Sequence, residues 1–324
     1  MNKLANAVAA IALLGTPVFA ADMPVKAPSP APAPVSSWTG FYVGANVGYS
    51  WGNANTDIVG NATTVVFPTF FAGFPNSNVA VAGSHTARLN GAIGGGQVGY
   101  NYQFSPRWVL GFEADIQASG ERGSNTFVDP FSTTVCTGGI IVISFPCGPT
   151  GTLNGTAATT YEAKIDWIGT VRGRVGGFIT DQVLLYGTGG LAYGRLEVSG
   201  VTGVSGSINS TAVPLLTSVT PAANAFSDSR MKVGFAVGGG IEGKISYATA
   251  WTWKLEYLYV DLGSLDTVSP FPGACVCGTP LGFLDSDGLI SPLGTITSRF
   301  SGTISTHTHF TDNILRVGLN YQFH

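Results

Sequence analysis

The segment "NILRVGLNYQFH", residues 313–324, alternates apolar and polar side chains with a period of two. From residue 315 to residue 323 every odd position is apolar, while the even positions carry Arg316, Gly318, Asn320 and Gln322. Successive side chains of a β-strand point to opposite faces of the sheet. The segment therefore predicts a strand with one apolar face and one polar face.

Seven earlier segments show the same alternation. In "GFYVGANVGYSW", residues 40–51, Phe41, Val43 and Val47 share one face, and Tyr42 and Asn46 share the other. The full set of predicted strands is residues 40–51, 88–104, 108–120, 161–178, 182–199, 230–245, 251–261 and 310–323. Eight strands and no helical period predict an all-β chain.

The connections between these segments alternate between short and long. Short ones fall at residues 105–107, 180–181 and 246–250, and long ones at residues 52–87, 121–160, 200–229 and 262–309. Strict alternation predicts antiparallel neighbours with every short turn at one end. Short periplasmic turns and long extracellular loops are typical of outer-membrane barrels. The predicted fold is an eight-stranded antiparallel transmembrane β-barrel in a Gram-negative outer membrane, with both termini periplasmic.

Composition favours the membrane version of this barrel. Only 10% of the residues are charged, against about 25% in soluble domains, and no stretch after residue 20 is long and apolar enough for a spanning helix. A soluble lipocalin-like barrel is the alternative, because alternation alone does not say which face points inward.

The first 37 residues are predicted to lie outside the barrel. Residues 1–20 combine Lys3, an apolar run and small residues before the end, which is typical of a secretory signal peptide. Residues 21–37 are rich in proline and predict an extended periplasmic linker, and residues 38–324 form the barrel. Removing Lys3 leaves 14 basic residues against 18 acidic ones. This balance argues against nucleic acid as a partner.

Most charged residues of the predicted strands fall on the polar face and are predicted to fill the lumen. An eight-stranded barrel is just wide enough for side chains to fill, and buried charges require partners. We expect a network of paired charges, with a narrow polar or ion path as the alternative. The network comprises Glu113, Asp115, Asp166, Arg172, Arg174, Arg195, Glu197, Glu242, Lys244, Lys254, Glu256 and Arg316, joined by Glu162, Lys164 and Lys232.

No catalytic motif survives inspection of the sequence. The glycines and lysine of "GGGIEGK", residues 238–244, match a phosphate-binding loop, but Ile245 stands where Ser or Thr must reach Mg²⁺. His307 and His309, with His85 as a third donor, are weak candidates for haem or metal, and solvated loop histidines are the alternative. We expect no cofactor and no enzymatic activity.

Four cysteines fall in the predicted long loops, where export makes disulfides favourable. Cys136 and Cys147 suit a local pairing, whereas Cys275 and Cys277 would close a strained ring. An inter-loop pairing and a redox-active pair both stay open, since four cysteines allow three connectivities.

Several of these segments together resemble the outer membrane immunogenic proteins of alphaproteobacteria, small porin-family barrels related to the OmpA transmembrane domain. The segments that carry the resemblance are residues 21–52, "GQVGYNYQF" (96–104), "GFEADI" (111–116), "GTVRGRVG" (169–176), "YGTGGLAYG" (186–194), "WKLEYLYVDLG" (253–263) and "RVGLNYQF" (316–323). The resemblance implies an outer-membrane location, a structural and surface-antigen role in envelope integrity, and no catalysis.

The same resemblance implies contact with outer-membrane lipid and lipopolysaccharide. It also implies that Tyr321 and Phe323 form a terminal signal for the outer-membrane assembly machinery, although His324 follows them here. Some relatives are credited with porin activity or haem binding, so a small porin or haem receptor is the alternative function. The oligomeric state is left open.

Overall fold

The computed structural model describes residues 37–67, 78–136, 150–209, 219–246, 250–272, 275–277, 282–284, 290–292 and 297–323. The predicted signal peptide and all of the predicted linker before Ser37 lie outside these residues. The chain from Ser37 to His324 is one compact unit. Its strands are β1 Gly40–Phe67, β2 Asn78–Ser105, β3 Trp108–Cys136, β4 Thr150–Thr180, β5 Val183–Asn209, β6 Val219–Lys244, β7 Trp251–Pro270, β8 Cys275–Cys277, β9 Gly282–Leu284, β10 Ile290–Pro292 and β11 Thr297–Gln322.

Eight of these strands form a closed antiparallel ring. Each of β1 to β6 pairs with the next strand, β7 pairs with β11, and β11 pairs with β1 from Tyr42↔Gln322 to Phe67↔Thr297. The prediction of an eight-stranded antiparallel barrel is confirmed. Across the described ranges, no helix combines the length and apolar character needed to cross a membrane.

The barrel strands are much longer than predicted. Those of the ring run from 20 residues in β7 to 31 in β4, whereas about 9–11 residues cross a bilayer. The prediction of long loops beginning at residues 52, 121, 200 and 262 is wrong, because the strands continue through much of each interval. Small and β-branched residues predominate there, and large apolar side chains such as Ile58, Phe127 and Phe300 are more widely spaced than in the predicted strands.

The added strand length divides the barrel into two halves. We call the part next to the short turns the proximal half, with residues 40–51 of β1 and residues 311–322 of β11. The part beyond it is the distal half, with residues 52–67 of β1 and residues 297–310 of β11. On the outer surface of the proximal half large apolar side chains are exposed, among them Phe41, Val47, Phe112, Leu191, Val237, Leu255, Val317 and Leu319.

The distal half reverses this arrangement. Its interior is an apolar core that includes Ile58, Leu89, Phe127, Tyr161, Leu196 and Phe300, each at most 8% exposed. Its outer surface carries polar residues such as Asn55, Asp57, Thr86, Ser124, Glu197 and Asp266. The lipocalin-like alternative thus describes the distal half, and the membrane-type barrel describes the proximal half.

Backbone irregularities mark the junction between the halves. β-Bulges or register shifts occur between Ala118 and Glu121, between Ile165 and Trp167, and between Phe310 and Thr311. Gly263, with φ of 74°, faces the last of these. The bulge in β4 exchanges the inward and outward positions. On its proximal side even residues such as Arg172 point inward, and on its distal side odd residues such as Tyr161 do.

The distal wall has two seams: the pairing of β2 with β3 ends at Asn90↔Arg122, and a further seam separates the distal parts of β6 and β7. Their pairing runs only from Phe235↔Asp261 to Lys244↔Thr252. In the described part of the chain, residues 222–234 of β6 pair with β5 alone. The amide of Asn224 spans the β6–β7 seam by donating a hydrogen bond to the carbonyl oxygen of Pro270, at 3.0 Å.

Candidate functional site

Eight buried charged side chains meet inside the proximal half. Six of the residues come from β3, β4 and β7, two from each strand, because residues two apart on a strand share its inward face. β6 and β11 supply one each. The set, which we call the charge cluster, is Glu113, Asp115, Arg172, Arg174, Glu242, Lys254, Glu256 and Arg316, each at most 4% exposed. Four carboxylates face four cations, so the cluster is electrically neutral.

Arg172 lies at its centre. Its Nη2 atom is 2.7 Å from Oε1 of Glu113 and 2.8 Å from Oδ2 of Asp115, while Nη1 is 3.2 Å from Oε1 of Glu256. One guanidinium therefore joins β3, β4 and β7 across the lumen. Charge-assisted hydrogen bonds of this kind are the strong ones in proteins.

Arg316 and Lys254 complete the centre. Nη2 of Arg316 is 2.8 Å from Asp115 and 2.5 Å from Glu256, and Nζ of Lys254 is 2.8 Å from Glu113. Every carboxylate at the centre thus contacts at least two cations. Such a network offsets the cost of burying charge only while it is complete.

Arg174 and Glu242 extend the cluster toward the short turns. Nη2 of Arg174 is 2.5 Å from Oε2 of Glu242. The guanidinium lies 4.0 Å from the ring centre of Tyr186, a cation–π contact. The Tyr42 hydroxyl donates to Glu113 at 2.7 Å and accepts from Arg174 at 3.1 Å.

The short-turn end of the lumen is closed by the segment before β1. Trp38 is 1% exposed and packs with Val109, Leu184 and Tyr186. Its carbonyl oxygen accepts a hydrogen bond of 2.7 Å from the side chain of Gln322. The Nζ atom of Lys244 lies 5.1 Å from the Trp38 ring centre and donates to the carbonyl oxygen of Ser37.

Nine residues of the predicted network point into the proximal lumen, namely the charge cluster and Lys244. Five do not, and their placement in the lumen was wrong. Asp166, Arg195 and Glu197 lie on the outer surface of the distal half, as Glu162 and Lys164 do. Nζ of Lys164 is 2.9 Å from Glu197 and 3.2 Å from Asp166.

The physical reasons for these misplacements are a bulge and a change of interior. Beyond the bulge of β4 the inward positions are odd, which turns Asp166 outward. In β5 the inward residues are even, and they become apolar from Ala192 to Leu196 as the interior does, which leaves Arg195 outside. The polar face of a predicted strand points inward only in the proximal half.

Sequence reasoning assigned no role to several neutral side chains of the cluster. The Tyr186 hydroxyl donates to Glu256 at 2.9 Å, and the Thr170 hydroxyl donates to Asp115 at 2.9 Å. The amide of Asn320 donates to Glu242 at 2.9 Å. Asn320 lies on the predicted polar face, so the alternation could have indicated its place in the lumen. Tyr186 was counted as apolar, so the alternation could not indicate its hydrogen bond.

The three histidine candidates do not converge. His85 points inward, stacks on Phe127 at 3.6 Å and lies 3.0 Å from Oδ1 of Asp129. His307 and His309 lie on the outer surface, so a site shared with His85 is wrong. In the described ranges no three His, Cys, Asp or Glu residues are grouped to hold a metal ion.

Each outer histidine has a carboxylate neighbour. Nδ1 of His307 is 2.5 Å from Oδ1 of Asp266, and Nε2 of His309 is 3.4 Å from Oδ2 of Asp261. The hydrogen bond with His307 lowers the pKa of Asp266. This ordered surface pair replaces the predicted ligand site.

The disulfide candidates cannot be paired from the described atoms. Cys147 lies outside the described residues, and Cys136, Cys275 and Cys277 are described as strand residues without their side chains. The main chain of Cys275 pairs with Arg299 of β11 and with Thr220 of β6. The disulfides stay a prediction.

With the barrel and its charged lumen established, comparison with known proteins places the chain among its relatives. The family described as outer membrane protein beta-barrel domain matches residues 7–323. The chain belongs to this outer-membrane β-barrel family. It is 33% identical over 316 residues to the 31 kDa outer-membrane immunogenic protein of Brucella melitensis, covering 96% of each chain.

A second relative is the 22 kDa outer membrane protein of Rhizobium leguminosarum. It is 28% identical over 247 residues, which is 76% of this chain and 72% of the relative. The resemblance to alphaproteobacterial outer-membrane immunogenic proteins and the outer-membrane location are confirmed. The structure of OprG from Pseudomonas aeruginosa covers 89% of this chain and 100% of its own, at 11% identity and a TM-score of 0.29. The fold assignment rests on strand pairing rather than on that likeness.

Proposed function

We propose that this outer-membrane barrel is a structural and surface protein whose lumen does not conduct ions. The neutral charge cluster carries the proposal. Its side chains bridge the lumen from β3, β4, β6, β7 and β11 and are at most 4% exposed. An open polar pore would instead leave charged side chains solvated along its wall.

The proposal also sets the orientation. The apolar outer surface of the proximal half suits contact with outer-membrane lipid and lipopolysaccharide, with the short turns in the periplasm. The distal half, polar outside and apolar inside, then stands on the extracellular side as a folded extension. Such an extension presents a large rigid surface, which fits a surface antigen that contributes to envelope integrity.

We expect no catalysis and no cofactor. The lumen carboxylates that would serve as acid or base in a reaction are held by arginine and lysine side chains. Catalytic groups need a poised and accessible proton site, which buried ion pairs do not provide. We also expect the outer-membrane assembly machinery to recognise the terminal strand through Tyr321 and Phe323.

Planar-bilayer conductance tests the closed lumen and separates it from the small-porin alternative. Purified, refolded wild-type protein is expected to give no reproducible current steps. The double variant Arg172→Ala, Arg316→Ala, which empties the centre of the lumen, serves as the opened counterpart. Reproducible steps from the wild type would overturn the proposal. Heat-modifiable gel mobility establishes that each sample is folded.

A further inference from the structure

Two arginines are neighbours on the outer surface, where the apolar wall of the proximal half ends. Arg88 of β2 pairs with Asn53 of β1, and Arg122 of β3 pairs with Asn90. Arg122 is therefore the diagonal neighbour of Arg88, and such neighbours lie about 7–8 Å apart. The strands stay close here, because an added Cβ at Gly123 would overlap the carbonyl oxygen of Arg88. Both arginine side chains are exposed on the outside of the barrel.

Neither arginine has a counter-charge among the described residues. Arg122 pairs directly with Lys164 of β4, so two cations face each other across the strands. Nζ of Lys164 is bound by Asp166 and Glu197, at 3.2 and 2.9 Å. Glu162, the acid diagonal to Arg122, forms no ion pair with it in the described part of the chain. Because like charges opposite each other are destabilising, the two arginines require an anion from outside the chain.

A third outward-facing arginine near the junction has partners of its own. Nε of Arg195 in β5 donates to Ser229 at 2.9 Å and is 3.6 Å from Oδ2 of Asp166. On the other side of the ring, β7 carries Asp261 and Asp266 at the same level. Unpaired positive charge near the junction is thus concentrated, among the described residues, on β2 and β3.

The wall between these arginines and the short turns is shallow. Its outward positions are Ala92, Gly94 and Gly96 on β2 and Ala118 and Gly120 on β3. An added Cβ at Gly94 or Gly96 would come no closer than 3.6 Å to its neighbours, so packing within the chain does not require glycine there. Glycine inside a strand weakens it and often marks the close approach of another molecule. A shallow apolar surface therefore leads from the two arginines into the lipid-facing wall.

We propose that Arg88 and Arg122 bind a phosphate group of lipopolysaccharide, whose acyl chains lie on the shallow surface of β2 and β3. Lipopolysaccharide joins phosphate groups to a cluster of acyl chains, so one molecule matches both parts of the surface. A guanidinium suits phosphate because it can donate two parallel hydrogen bonds to the phosphate oxygens. The inference deepens the proposed contact with outer-membrane lipid and rests on the proposed orientation, with the distal half outside the cell.

Lipid binding by the purified protein tests the site. The sample is refolded full-length protein in a zwitterionic detergent, free of lipopolysaccharide. The probes, titrated in mixed micelles, are lipid A with two phosphate groups and the same lipid A with its phosphates removed. We expect the wild type to bind the phosphorylated form at least about tenfold more tightly, because charge-assisted hydrogen bonds are the strong ones. Raised salt should narrow this preference, since exposed charges are screened.

Matched variants assign the preference to the two arginines. Arg88→Gln, Arg122→Gln should bind both forms of lipid A equally. The control Arg107→Gln, Arg195→Gln removes the same charge, from an exposed short-turn residue and from an arginine with partners, and should keep the preference. Gly96→Leu fills the shallow surface and should weaken binding of both lipids. Heat-modifiable gel mobility establishes that each variant is folded.

Three results would overturn the proposal. Equal binding of both forms by the wild type would mean that acyl chains alone make the contact. An undiminished preference in Arg88→Gln, Arg122→Gln would place the phosphate elsewhere. Phosphatidylglycerol bound as tightly as phosphorylated lipid A would indicate a surface for anionic lipids in general. Micelle binding does not depend on conductance, so a wild type that conducts and keeps the preference would contradict only the closed lumen.

Discussion

Arg172 and Glu113 lie 2.7 Å apart, Nη2 to Oε1, in a part of the lumen where neither side chain is more than 2% exposed. The pair comes from adjacent strands, and its members also contact Asp115, Glu256 and Lys254, so it locks the centre of the barrel. A charge in this position is stable only with its partners present. The cluster therefore serves both as the filling of the lumen and as a source of fragility.

Removing one cation from the cluster should be costly. Arg172→Ala leaves Glu113, Asp115 and Glu256 short of positive charge, and we expect a loss of about 3–5 kcal/mol in the free energy of unfolding. Urea unfolding of the refolded barrel in lipid vesicles measures it. Arg195→Ala, on the outer surface and half exposed, should change stability by less than about 0.5 kcal/mol. Equal effects of the two variants would contradict the buried network.

Arg174 and Glu242 should behave as a coupled pair. Arg174→Met or Glu242→Met alone removes the shortest ion-pair contact of the remaining buried charge, and each is expected to destabilise the barrel by about 3–5 kcal/mol. The double variant should cost clearly less than the sum, because it removes both charges together. The same unfolding assay, applied to the wild type, both single variants and the double variant, gives the interaction energy of the pair. Strict additivity would show that the two groups do not interact in solution.

The apolar interior of the distal half should contribute to stability as a soluble core does. Leu196 is fully buried, and Leu196→Ala should cost about 2–5 kcal/mol. Val59→Ala, at a distal position that is 51% exposed, provides the control and should have little effect. If the distal strands were loosely ordered, both variants would have the same free energy of unfolding as the wild type.

The hydrogen bond between His307 and Asp266 should be visible in a carboxyl titration. It lowers the pKa of Asp266, so its contribution is present above the ordinary Asp value of about 3.9 and is lost as the pH falls through the lowered value. His307→Ala should move that pKa back upward, as followed by carbon-13 NMR of the carboxyl group. His309→Ala should leave it unchanged, since His309 faces Ser264 and Asp261 instead. An Asp266 pKa that is the same in His307→Ala as in the wild type would contradict the pairing.

The backbone amides of β6 along the β6–β7 seam should exchange hydrogen faster than those in the rest of β6. Among the described residues, 222–234 of β6 pair with β5 alone, whereas residues 235–243 pair with both β5 and β7. Amide exchange measured by mass spectrometry should show lower protection in the first segment. Uniform protection along β6 would mean that β6 and β7 pair over their full length.

Sequence alternation was sufficient for the proximal half. The apolar face at Val317 and Leu319 and the polar face at Arg316 and Asn320 lie as predicted, because lipid outside and a charged lumen inside make the two faces chemically distinct. The family resemblance added the location. Neither source indicated how charges such as Arg172 and Glu113 pair across strands, since pairing depends on register and side-chain reach.

The distal half could not be predicted from the same pattern. Alternation says that two faces differ without saying which one is inside, and the inward face changes from polar to apolar along each strand. The bulge between Ile165 and Trp167 exchanges the faces of β4 and carries no distinctive sequence signal. Small residues such as Ala54 and Ala157, which fill the narrow core, resemble loop composition when read alone.

The most direct test of the account asks where along the barrel the surrounding medium changes from lipid to water. Valine offers a matched set, because Val47 and Val317 on the proximal surface and Val59 and Val201 on the distal surface are 47–62% exposed. NMR of valine-methyl-labelled protein in lipid nanodiscs can detect nuclear Overhauser effects between each methyl group and the lipid acyl chains. We expect strong effects at Val47 and Val317 and none at Val59 and Val201. Comparable lipid contacts at all four valines would contradict a barrel whose distal half stands clear of the membrane.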